Sequence, residues 1–490
     1  MNAFRFFNTT NLHAHGLHVS PTQDNVFARV PPGANLTYSY FIPTDHAPGA
    51  FWYHSHYHGA TAIQIMGGLV GALIVDAEPG ALPAWLAALP EQVLLLQNLV
   101  FRYIGVAAQG HPAPSFALLE SAAYNFSGGF TGGYTADASY SAPATYTVNG
   151  LVSPTLSLAA GSSTVLRIIY ASAAETPTIS LQGGVNASCS MHVIALDVVY
   201  LTAPRSVAFV RLAPGSRADL VVGCAQPGAV NLSTTATIYS NLAQTLVALT
   251  ITGTPAAPAP LPATTAVARP PYLADMTGVT PATFVQLSIS QPPVPSEQPQ
   301  TSQGLEFWIG MGVDCSAVNA TAGAATSPAA TSPGCPFGAF SGQRGTVASA
   351  YPAGAVQMLG SPAQATFFGA GQPPHPMHIH VNHFQIISIG SGLAADGFSV
   401  VGDRRDTINV GTGTDLSVDA GTVIRWWPVD FSGEVVVYVA SISPTLFDPL
   451  VDAASHLDAS RCSLARCRSL TPHPSHPLPF PSTLFRHCHM

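Results

Sequence analysis

The chain has 490 residues, 47% of them apolar and 8% charged, with a formal net charge of −8 at pH 7. Such a chain has ample material for two to four domains with buried cores, which excludes a disordered protein. All 16 basic residues are arginines and no basic run occurs, which removes lysine chemistry such as Schiff bases and argues against nucleic acid or a membrane surface as partner.

The opening residues "MNAFRFFNTT" contain no charged-then-apolar signal segment. Alternation over 35–43 ("NLTYSYFIP"), 144–150 ("ATYTVNG") and 164–172 ("TVLRIIYAS") predicts strands between Gly and Pro turns. The most apolar stretches, 66–76 and 85–101, are short or broken by Gly, Pro or Glu. They fall below the ~18 uninterrupted apolar residues of a membrane span, so a protein without a span is expected. With 43 Gly, 43 Pro and little helical periodicity, the fold class read from the residues is all-β, in sandwich domains.

The tract "GTPAAPAPLPATTAVARPPYL" reads as a Pro/Ala linker, and "ATAGAATSPAATSPG" (320–334) as a surface loop. With a softer break near 76–92, the expected units are 1–80, 90–253, a linker at 254–274, and 275–490. Of seven cysteines, Cys189 with Cys224 and Cys315 with Cys335 are candidate disulfides, with the connectivity open and Cys488 the natural odd one. Six glycosylation sequons, at Asn8, Asn35, Asn125, Asn186, Asn231 and Asn319, fit an extracytoplasmic protein.

Eleven of the 18 histidines fall in four tracts with an H-x-H core. "NLHAHG" holds His13 and His15; "FWYHSHYHG" holds His54, His56 and His58; "HPMHIHVNHF" holds His375, His378, His380 and His383; and the closing "FRHCHM" holds His487, Cys488 and His489. Residues two apart on a strand share a face, so each pair offers two imidazoles to one place. Cys488 has the opposite parity to His487 and His489, and His375 the opposite parity to His378 and His380. Both tracts therefore present one ligand to a first metal site and two to a second. Imidazoles joined to a separate thiolate point to copper, because cysteine with histidines is the electron-transfer copper arrangement. A zinc reading is weaker, since no closed Cys/His zinc spacing is present. His18, His46 and His383 read as structural or solvated, and His58 as structural, with a hydrogen bond to a ligand as the alternative.

In order and separation, "NLHAHG", "GAFWYHSHYHG", "HPMHIH" and "HCH" resemble the four copper signatures of the three-domain multicopper oxidases. The stretches "YTVNGLVSPTLSLAAGSSTVLRIIYAS", "VIALDVVYL" and "LAPGSRADLVVGC" are similar to that family's copper-free second domain. The resemblance implies three cupredoxin-like Greek-key sandwiches and four coppers: type 1, type 2 and a type 3 pair. It assigns His13 and His378 to type 2, His15, His54, His56, His380, His487 and His489 to type 3, and Cys488 and His375 to type 1. Asp24, in "SPTQDNVF", matches a recurrent acidic position that helps protons reach dioxygen; an ordinary turn aspartate is the alternative. The implied activity is laccase-like: one-electron oxidation of phenols, aromatic amines or metal ions coupled to four-electron reduction of dioxygen to water, in a secreted or extracytoplasmic protein.

Two departures from the family pattern carry expectations of their own. The pattern continues beyond HCH with a second type 1 histidine five residues after the cysteine, so the type 1 site as written keeps two recognisable ligands and impaired activity is expected; a truncated or defective oxidase, or a non-catalytic copper-binding protein, is the alternative. Residues 439–486, with four of the 16 arginines and Cys462 and Cys467, read as an atypical insertion, either a long loop or a misread stretch of gene. The first and third sandwiches are expected to be incomplete at the outer ends.

Overall fold

A computed structural model describes residues 9–57, 60–99, 101–104, 115–118, 145–173, 176–235, 243–290, 308–313, 361–369, 375–390, 399–410, 422–428, 439–441, 464–470 and 485–488. His58, His489, Met490, the Cys315 and Cys335 pair, the 320–334 loop and the sequons Asn8, Asn125 and Asn319 lie outside the described residues. The elements are almost all strands, and the fold is all-β. Among the described residues no helix is long and apolar enough to cross a membrane. The chain divides into two compact units, one of Met1–Arg269 with Pro299–Gly304 and Pro444–Met490, the other of Pro270–Gln298 with Leu305–Ser443.

The first unit begins with a five-stranded sheet. Strand β1 (His13–His15) pairs antiparallel with β2 (Gly49–His54), and β2 with β3 (Val70–Val75). Strand Leu464–Leu470 then runs parallel to β3, and Phe485–Cys488 closes the order antiparallel to it. The 439–486 segment thus contributes a strand to this sheet.

Aromatic and aliphatic residues make β2 ("GAFWYH") and β3 ("VGALIV") natural strands. Phe51, Leu73, Val75, Leu17 and Ile42 are buried in one cluster, each worth about 1.5–3 kcal/mol on burial. Gly49 is required there, because a Cβ would meet the Val198 side chain at 2.8 Å. Residues 35–43 belong to no strand, yet Tyr40 and Ile42 are buried while Ser39 and Phe41 are exposed. The alternation reports which side chains face the core, and it carries no information about a backbone pairing partner.

Two further sheets belong to this unit. The six-stranded one runs Val199–Ser206, Cys189–Leu196, Arg217–Cys224, Ser163–Tyr170, Glu91–Leu99, Thr145–Val148. Its strand Ser163–Tyr170 is buried along nearly its whole length, because it lies inside the sheet with Arg217–Cys224 antiparallel on one side and Glu91–Leu99 parallel on the other. The five-stranded sheet runs Val210–Arg211, Thr178–Gln182, Gly228–Thr234, Gln244–Thr252, Thr155–Ala159. Cys189 and Cys224 are directly opposite in register and form a disulfide. The Pro/Ala tract does not hang free: the Ala256 N–H donates to the Ala225 carbonyl and the Thr265 N–H to that of Thr202, and Leu261 packs on a buried cluster.

The second unit contains a six-stranded sheet, Trp308–Val313, Thr283–Ser290, Ala363–Gly369, Thr422–Trp426, Phe384–Ser388, Arg404–Arg405, and a three-stranded one, Thr407–Val410, His375–Ile379, Val439–Ser441. Phe367, Met377, Phe384, Ile408, Ile424 and Trp426 are buried in its core.

Candidate metal centre

The pairing of β1 with β2 places His13 opposite His54 and His15 opposite Trp52. Strand parity then acts as expected: His13 and His15 lie with ring centroids 5.7 Å apart. His54 is 5.1 Å from His13 and 5.6 Å from His15 by the same measure, and His56 is 5.3 Å from His13. His13, His15 and His54 are buried, and each brings one ring nitrogen within 4.8 Å of the others. The chain leaves β1 by a turn in which the Leu17 N–H donates to the Ala14 carbonyl, with Gly16 at φ +89°. That left-handed conformation is what the third position of a type II turn demands, and glycine supplies it without strain.

Hydrogen bonds orient these rings. His13 Nδ1 lies 2.5 Å from Asp24 Oδ2, and His54 Nδ1 lies 2.7 Å from the Ser55 carbonyl. A carbonyl and an ionised carboxylate only accept, so both Nδ1 atoms carry the proton and each Nε2 is left as an acceptor, that of His54 lying 3.4 Å from His15 Nδ1. Trp52 stacks on His54 with centroids 4.2 Å apart. Asn11 Oδ1 accepts the His56 N–H at 2.6 Å, while Asn11 Nδ2 donates to the Val26 carbonyl. Sequence reasoning alone misses Asn11 although it opens the "NLHAHG" tract; an amide able to donate and accept is the signal that could have found it.

Asp24 is buried, with Oδ1 accepting from the Ala14 N–H at 2.9 Å and the Tyr40 hydroxyl at 3.1 Å. Burial pushes its carboxyl up, but the adjoining His13 ring and its hydrogen bond, the Ala14 N–H and the Tyr40 hydroxyl together hold it below its ordinary value. Burial and the neighbouring Asp24 charge push the Tyr40 hydroxyl far above its ordinary range, so it stays a donor. His46 serves the backbone instead, with its Nδ1–H donating to the Ala47 carbonyl and its Nε2 accepting the His18 N–H.

In the second unit, His378 and His380 are buried with ring centroids 5.1 Å apart. The His378 Nδ1–H donates to the Asp406 carbonyl at 2.9 Å. The chain turns immediately after His380 through Val381 at φ +67°, with the Asn382 N–H on the His380 carbonyl at 2.6 Å. A β-branched residue there stores strain of order 1–3 kcal/mol. The backbone of His375 heads the same strand, and Phe485–Cys488 carries His487 opposite Arg468 and Cys488 opposite Cys467.

Two family models described as multicopper oxidase match the chain, over residues 2–80 and 334–426. Laccase-1 of Emericella nidulans is 40% identical over 82 residues, 16% of this chain and 12% of its own length. The cell division protein FtsP of Yersinia pestis is 28% identical over 226 residues, 44% of this chain and 40% of its own. The matches thus span less than half of the curated relatives. The McoA multicopper oxidase of Aquifex aeolicus shares the fold with a TM-score of 0.58 at 17% identity, over 89% of this chain and 81% of that one. The sheets are cupredoxin-like, the chain shares the fold of multicopper oxidases, and two of its segments match multicopper oxidase family models.

Proposed function

We propose that the protein is a laccase-like copper oxidase that couples one-electron oxidation of a small phenol, aromatic amine or metal ion to the four-electron reduction of dioxygen to water. The observation that carries this reading is the buried convergence of His13, His15 and His54 nitrogens within 4.8 Å. The donor set fits: clustered imidazoles suit copper, and the Nδ1 protons of His13 and His54 are already committed elsewhere.

In this reading His13, His15, His54, His56, His378 and His380 are copper ligands, with His487 and His489 completing the set and His375 and Cys488 holding a type 1 copper. Bound copper would supply the one-electron redox couple and the place where dioxygen is reduced. Dioxygen reduction consumes four protons, and we assign Asp24, buried against His13 and the Tyr40 hydroxyl, to helping them reach the site. We assign the chain three cupredoxin-like units, 1–80, 90–253 and 275–490, of which the second carries none of the ligands. The Cys189–Cys224 disulfide and the exposed sequons Asn35 and Asn186 support an extracytoplasmic, glycosylated protein. A phenolic reductant is favoured over cuprous ion because the eight methionines form no Met-rich segment.

The test is copper loading of the full chain, followed by metal analysis, absorption spectroscopy and oxygen uptake with a phenol, ferrous ion or cuprous ion. Copper-dependent uptake driven by the phenol supports the reading. Bound copper without uptake leaves a non-catalytic copper-binding protein, and a folded chain that takes up no copper ends both readings.

A further inference from the structure

Resting on the assignment of His378 as a copper ligand, we propose that Asp406, with Thr407 and His383, is the positioning residue that locks His378 in its Nδ1–H form and presents Nε2 to the metal. Asp406 stands immediately before the Thr407–Val410 strand, which pairs antiparallel with His375–Ile379 so that His378 and Thr407 are opposite. Its carbonyl accepts twice, from the Ile379 N–H at 3.0 Å and from His378 Nδ1–H at 2.9 Å. Backbone ladder and ligand side chain therefore share one acceptor, which ties the ring to the sheet.

The carboxylate adds a second layer. Asp406 Oδ1 accepts the Thr407 hydroxyl at 2.8 Å and lies 3.6 Å from His378 Nδ1. Because the threonine spends its proton on the carboxylate, its oxygen faces His378 Nδ1 as an acceptor, at 3.2 Å. Asp406 Oδ2 lies 3.4 Å from His383 Nε2. That nitrogen must carry a proton to face a carboxylate, so His383 is committed to Asp406 through Nε2. All four residues are buried, with Asp406 at 1% and Thr407 at 0% exposure. A buried carboxylate is costly to leave unbalanced, and the two imidazoles and the hydroxyl are oriented to offset that cost. The carboxylate in turn strengthens the His378 Nδ1–H bond and raises the basicity of Nε2, the effect that such partners exert on metal-bound histidines.

The experiment compares copper affinity, by chelator competition, and the electron paramagnetic resonance of the non-blue cupric ion in the full-length wild type, D406N, T407V, T407S and H378A, with thermal unfolding of each metal-free chain. D406N and T407V are expected to weaken copper binding by about 10–100-fold and to change the cupric hyperfine splitting. T407S, which keeps the hydroxyl, is expected to match the wild type. Wild-type affinity and spectrum in folded D406N and T407V, with a copper lost in H378A, overturn this inference alone. Full copper retention in H378A overturns the ligand assignment as well. If D406N does not fold, T407V against T407S decides, since a hydroxyl that only packs would not restore the spectrum.

Discussion

Replacing Asp24 by asparagine separates what this residue does for folding from what it does for the metal. In the wild type, Oδ1 holds the Ala14 N–H and the Tyr40 hydroxyl, and Oδ2 holds the His13 Nδ1–H at 2.5 Å. D24A strips the acceptor from three buried donors, each costing about 1–3 kcal/mol, so a loss of at least about 3 kcal/mol is expected. D24N keeps an oxygen for Ala14 and Tyr40 and turns an NH2 toward His13. That amide can be satisfied only if His13 shifts its proton to Nε2, the nitrogen that would face copper in the proposed reading. The expected stability loss is then about 1.5–3 kcal/mol, the worth of one charge-assisted bond, while copper affinity falls by about 10–100-fold. Denaturant unfolding of the metal-free variants and chelator competition read the two effects separately. A folded D24N chain with wild-type copper affinity would refute the reasoning.

Acid supplies a further check on the same group. Its native carboxyl lies below the ordinary 3.8, so its contribution is complete above that value and is lost as pH falls through the lower native value. The stability gap between metal-free wild type and D24N should therefore be constant from neutrality to about pH 5 and shrink below it; a gap that widens on acidification contradicts the sign. Two other outcomes test the first unit's scaffold. Arg217 is 1% exposed, with Nε donating to the Ala50 carbonyl at 3.3 Å, NH1 to the Gly215 carbonyl at 3.1 Å, and Asp197 Oδ1 3.5 Å from NH1. R217M leaves Asp197 buried without that guanidinium and should cost about 3–5 kcal/mol in urea unfolding, with D197N/R217M milder than R217M alone. The Cys189–Cys224 bridge closes a separation of 35 residues, so C189S/C224S should lose about 3–4 kcal/mol on the chain-entropy account; denaturant titration under non-reducing conditions measures it, and an unchanged midpoint would remove the bridge from the stability account.

The sequence by itself determined the all-β class, the candidate Cys189–Cys224 pairing and the grouping of histidines on common strand faces. The strand faces follow from a local rule: a strand has a period of two, so H-x-H puts both rings on one side wherever the strand is placed. The extended run at 35–43 marks the limit of that reasoning, for Ser39 to Ile42 alternate between exposed and buried as foreseen while the backbone joins no strand. Only the tertiary structure decided which nitrogen of His13, His54 and His378 carries the proton. Asp24 reaches His13 across 11 residues, Asn11 reaches the His56 N–H across 45, and Asp406 reaches His378 across 28. Pattern along the chain reports which faces are buried; the hydrogen-bond partners that fix a tautomer come from segments brought together by the register of neighbouring strands, which no local period encodes.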